Sequence, residues 1–162
     1  MTDTGWAGAS PGAGLTAGVG RAVITPPVGI ALTGFAGRAP SEGVHDDLLA
    51  TALVLAERRP GGDDRDSRVA LVRLDLLGMY GDAIAPAIKG QVERVTGIPA
   101  GRVFLSCTHT HYGPVVSPDQ DMDGGGTAQA LAYQAALPHH VAGAPARARR
   151  RARRPTRRPC RV

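Results

Sequence analysis

Cysteine is scarce in this chain: Cys107 and Cys160 are its only two. They give no disulfide framework and no argument for an oxidising compartment. Long apolar runs are missing too, and no stretch approaches the ~18 residues of a membrane-spanning helix. The first residues, from Met1 to Gly8, have neither the basic start nor the apolar stretch of a signal peptide, so a cytoplasmic location is expected. Acidic side chains disappear from the C-terminal end. Nine arginines, Arg147, Arg149, Arg150, Arg151, Arg153, Arg154, Arg157, Arg158 and Arg161, stand there without an acid after them. They exceed the net charge of +5, so the remaining body is mildly acidic. The high overall pI therefore describes a tail and argues against a specific nucleic-acid-binding domain.

What is present fits one ordinary domain of 162 residues with a modest core. Residues 1–16, rich in Gly, Ala, Ser and Thr, read as a flexible leader. A first strand is expected over residues 18–25, stopped by Pro26 and Pro27. A glycine-punctuated loop with Gly34, Phe35, Gly37 and Arg38 follows. Residues 48–57 and 69–77 read as a hairpin pair joined by a turn over residues 58–64. The second of these strands is nearly continuous in its hydrophobicity, the pattern of a sheet covered on both faces. Ile84, Ile88, Val92 and Val95 recur at helical spacing, with Asp82 placed to cap the start and Gly97 and Pro99 to stop the helix. Residues 102–107 form the next strand, which makes a parallel β-α-β crossover in a mixed α/β sheet. A second helix is expected over residues 127–137, with Pro138 kinking or ending it. Residues 145–162 are almost only Ala, Arg and Pro and read as a disordered Arg-rich tail. Such a tail either contacts RNA, DNA or anionic lipid without specificity or is the product of a shifted reading frame.

Chemistry concentrates in Ser106-Cys107-Thr108-His109-Thr110-His111-Tyr112-Gly113-Pro114, at the end of that fourth strand. Side chains at i and i+2 of a strand leave on one side, so His109 and His111 are expected to face a shared space. Imidazole is a common metal ligand, and the carboxyl edge of an open α/β sheet is where clefts form. Solvated surface histidines are the alternative. Asp75, ending the neighbouring strand, should lie at the same edge, and His45 beside Asp46 is a further polar candidate; for each, a turn or ion-pair role is the competing account. A catalytic zinc usually takes three protein ligands, so the HxH pair is half a site.

Other patterns fail. The HxHxDH metallohydrolase motif needs Asp and His where Gly113 and Pro114 stand. Asp119, Asp121 and Asp123 imitate a calcium loop, but the closing Glu position holds Ala130. Gly124, Gly125 and Gly126 lack the Lys-Ser/Thr of a phosphate loop. Cys107 is expected as a small buried thiol under the site, with a Cys-His nucleophile as the alternative.

Several motifs in order carry a resemblance. These are Ala17-Gly18-Val19-Gly20-Arg21-Ala22-Val23-Ile24-Thr25-Pro26-Pro27, the Gly34-Phe35 turn, Gly43-Val44-His45-Asp46, Leu74-Asp75-Leu76-Leu77-Gly78 and the HxH segment. Together they resemble the amino-terminal segment of the neutral/alkaline non-lysosomal ceramidase family, over about residues 17–144. The resemblance implies a zinc-dependent amide hydrolase that cleaves the N-acyl bond of ceramide to a sphingoid base and a fatty acid. It makes His109 a Zn2+ ligand and His111 a catalytic-site residue beside the metal. It also implies an incomplete part of a larger catalytic domain, with the remaining zinc ligands and the active-site serine further on in the family's longer chains, and hence an inactive fragment. The alternative function is a small α/β module whose arginine tail binds nucleic acid or anionic membrane non-specifically.

Overall fold

The computed structural model describes residues 14–58, 67–117 and 126–152. Four strands, β1 (Gly14–Val23), β2 (Leu49–Arg58), β3 (Val69–Leu74) and β4 (Val103–Cys107), form one mixed sheet in that order. Helix α1 (Ile84–Thr96) lies between β3 and β4, and α2 (Ala128–Ala152) closes the described chain. Neighbours β1 and β2, and β2 and β3, are antiparallel; β3 and β4 are parallel, joined by the expected crossover.

Alternation along the strands separates two faces. Ala22, Ala50, Ala52, Val54, Ala70, Val72, Leu74 and Val103 are buried and share one core with Ile84, Ile88 and Val92 of α1 and with Tyr133, Leu137, Val141, Ala144 and Ala148 of α2. The opposite face carries Val19, Leu71 and Phe104, exposed by 46, 42 and 56%. The hydrophobic run of β3 thus predicts cover on both faces, and the structure covers one, because both helices pack on the same side.

Local signals explain the element ends, with corrections. Strand β1 begins at Gly14, inside the segment that composition assigns to the leader, because Gly14 to Val23 pair in register with Arg58 to Leu49. Gly97 ends α1 in the left-handed region at φ 72°, its N–H donating to Glu93 O at 2.7 Å. Asp82 does not cap α1; the cap position is Ala83, without a side-chain bond. Val95 is exposed, and Gln91 and Thr96 take the remaining buried positions of α1.

Helix α2 passes through Pro138 and Pro145 to Ala152 instead of ending at Pro138. An interior proline costs ~3 kcal/mol. Burial of Leu137, Val141 and the run Ala142, Ala144, Ala146, Ala148 and Ala152 against the sheet offsets it. The first part of the arginine tail is therefore a packed helix. The turn at 59–64, the acidic loop at 119–124 and the chain after Ala152 lie outside the described residues.

Candidate active site

The parallel pair β3–β4 ends on one edge of the sheet, and the chain continues the ladder for two residues beyond it. Thr108 N–H donates to Leu74 O at 2.9 Å, and His109 N–H to Leu76 O at 3.0 Å. His109 then turns into the left-handed region at φ 61°, the only non-glycine among the described residues to do so. An L-residue there carries local strain of ~1–2 kcal/mol.

That turn replaces the strand geometry behind the i, i+2 argument, yet the two rings still meet. His109 and His111 lie 5.1 Å apart, centroid to centroid, edge to face. His109 Nδ1 donates to the Leu77 carbonyl at 2.9 Å. A carbonyl only accepts, so the proton of neutral His109 sits on Nδ1 and the Nε2 lone pair is free. This is the arrangement in which a histidine offers Nε2 to a metal while a backbone carbonyl fixes its tautomer.

His111 is held by the loop between β1 and β2. Phe35 packs on its ring at 4.9 Å. Gly34, at φ 106°, lies so close that a Cβ there would sit 2.6 Å from His111 Cγ. Arg38 Nη1 donates to the His111 carbonyl, and its guanidinium stacks 4.2 Å over the Tyr112 ring. Thr33 N–H donates to Gly113 O at 3.1 Å and completes the junction. Among the described residues, His111 Nδ1 is buried and has no hydrogen-bond partner. The roles of Phe35 and Arg38 were not legible as chemistry; their one sequence signal is the glycine-flanked turn at Gly34 and Gly37.

The other candidates separate from this pair. Asp75 reaches the same edge, but its Oδ2 accepts the Leu49 N–H at 3.0 Å, tying the end of β3 to the start of β2. Arg73 lies 3.9 Å from Oδ1. His45 is bonded to Asp46 at 2.6 Å and both side chains are fully in solvent. They line a cavity of about 730 Å³ with Leu32, Arg38, Leu48, Thr110 and Tyr112, a cavity that neither His109 nor His111 lines. Cys107 is half-buried under the site, and burial pushes its thiol pKa up, which opposes thiolate formation.

Among the described residues, no group of three or more His, Cys, Asp or Glu side chains is placed to hold a metal ion. His109 fits as one ligand, and the described residues do not complete a set. No described helix is long and apolar enough to cross a membrane.

Neither a protein-family model nor a curated protein matches this chain. Solved structures do. The neutral ceramidase from Pseudomonas aeruginosa superposes over 85% of this chain and 22% of its own, with a TM-score of 0.69 and 23% identity. A ceramidase complexed with C2 superposes over 85% of this chain and 21% of its own, with a TM-score of 0.63 and 22% identity. The likeness establishes the fold: a mixed α/β sheet with two helices, matching part of a ceramidase. This chain spans about a fifth of the length of those proteins.

Proposed function

We propose that the chain supplies the HxH segment of a zinc-dependent amide hydrolase of the neutral ceramidase type, acting on a lipid amide such as an N-acylsphingosine. The observation that carries this reading is the free Nε2 of His109, fixed by the Nδ1 bond to Leu77 O and set edge to face with His111. It stands in a fold shared with solved ceramidases. His109 would hold the metal through Nε2. Zinc, when bound, supplies Lewis-acid polarisation of the amide carbonyl and activation of water. His111, kept against His109 by Phe35, Gly34 and Arg38, is the residue on the substrate side, where it exchanges a proton with the reacting groups. The chain alone is proposed to be inactive, since one histidine ligand does not make a catalytic zinc site with an open position.

The test is a chimera in which residues 14–152 replace the superposed segment of the Pseudomonas aeruginosa enzyme. A folded chimera is expected to hydrolyse a fluorescent N-acylsphingosine with added zinc and to lose turnover in His109→Ala. A folded, zinc-loaded chimera with no turnover, or turnover indifferent to His109→Ala, contradicts the proposal. Hydrolysis by the isolated chain refutes the claim of inactivity.

A further inference from the structure

Strand β1 is an edge of the sheet, and the outward backbone groups of an edge strand pair readily with a foreign strand. The Ile24 N–H donates to Leu48 O at 2.8 Å. By antiparallel alternation, even-numbered residues of β1 therefore turn their backbone toward β2 and odd-numbered ones turn it away.

Two outward carbonyls are occupied by the helix. Arg147 Nη1 donates to Arg21 O at 2.7 Å, and Arg151 Nη1 donates to Val19 O at 3.2 Å. The spacing matches: four helical residues rise ~6 Å and two strand residues ~6.8 Å, so arginines at i and i+4 reach carbonyls at j and j−2. The same repeat sets the packing beneath. A Cβ on Gly20 would lie 2.2 Å from Ala144 O, and one on Gly18 would lie 2.1 Å from Ala148 O. Ala144, Ala148 and Ala152, spaced by four, are buried on this face. Glycine on the strand and alanine on the helix bring the backbones close enough for both guanidinium groups to turn over the edge.

We infer that residues 144–152 guard the β1 edge, and that the surface they guard is one at which a second copy of this chain would add its own β1. The two arginines spend their donors on the two carbonyls that such a strand would need. A copy is the fitting occupant because antiparallel β1–β1 pairing is self-complementary. It would also continue the apolar row of exposed Val19, half-buried Leu53 and exposed Leu71 and Phe104, which already runs in register across all four strands. The arginines at the start of the tail thus act on this chain's own backbone.

The experiment compares the full chain, Arg147→Ala/Arg151→Ala, and Arg150→Ala by light scattering over a concentration series, with amide hydrogen exchange of Val19 and Arg21. Arg150 is exposed, and its loss removes charge without removing either bond. In the double variant, mass is expected to rise toward two chains relative to the full chain, and the outward Val19 and Arg21 amides to gain protection. Arg150→Ala should match the full chain. If the double variant does not fold, Arg151→Ala, which keeps the shorter bond, is expected to show the same changes at smaller amplitude. The inference is overturned by unchanged mass in the folded variant, by added mass without protection of those two amides, or by equal association of Arg150→Ala.

Discussion

Substituting Gly34 by alanine separates two costs that the site combines. Gly34 and Gly37 both have positive φ, 106° and 70°. A Cβ on Gly37 meets nothing within 4 Å, whereas one on Gly34 meets His111 Cγ at 2.6 Å, Nδ1 at 2.7 Å and Cβ at 2.8 Å. Gly37→Ala should therefore cost only the left-handed penalty, ~1–2 kcal/mol. Gly34→Ala carries a comparable backbone penalty plus the displacement of a packed ring, where overpacking adds ~1–3 kcal/mol. The total for Gly34→Ala is then ~2–5 kcal/mol. Urea unfolding of both variants gives the difference, and the His111 ring resonances report whether the ring leaves Phe35. Equal destabilisation by the two substitutions, with His111 resonances unchanged in Gly34→Ala, would refute the packing argument.

Tyr133 donates a buried hydrogen bond to Ile24 O at 2.6 Å, and Tyr133→Phe should cost ~1–2 kcal/mol in chemical unfolding. Burial raises the Tyr133 pKa, so the folded phenol stays neutral while the unfolded one ionises near ~10. Stability is intact below that pH and falls as pH rises above it, and melting curves should show a shallower alkaline loss in Tyr133→Phe. Phe104→Ser, on the uncovered sheet face, should change stability by less than ~0.5 kcal/mol; a loss typical of core truncation would mean that this face is covered. Cys107 should alkylate slowly at neutral pH in the folded chain and quickly after unfolding, read by peptide mapping; equal rates would contradict its burial.

The crossover was legible because its signals are local: a nearly continuous apolar run over residues 69–77, Ile84, Ile88 and Val92 four apart, and Gly97 before Ile98 and Pro99. The length of α2 was not. Proline in a helix is read as a stop, and only the sheet surface into which Ala144, Ala148 and Ala152 pack outweighs it. Composition concealed the same segment, since a run of Ala and Arg has no hydrophobic period until Gly18 and Gly20 provide a groove for the alanines. At the site, the meeting of His109 and His111 was legible from their spacing, though a left-handed turn and not strand alternation produces it. Phe35 and Arg38 come from a loop about 75 residues earlier in the chain, a distance over which sequence pattern carries no contact information. Asp75 was placed at the correct edge; its use of Oδ2 on the Leu49 amide depends on the pairing of β2 with β3.

The central claim is that His109 presents Nε2 to a metal while Nδ1–H stays on the Leu77 carbonyl. Long-range proton–nitrogen spectra of the histidine rings, recorded on the isotope-labelled chain without metal and on the folded, isotope-labelled chimera during zinc addition, test it directly. The Nδ1–H tautomer of His109 is expected without metal, and zinc should shift His109 Nε2, with no such shift at His45. A His109 protonated on Nε2 in the metal-free chain, or a zinc response that bypasses His109, would contradict the account.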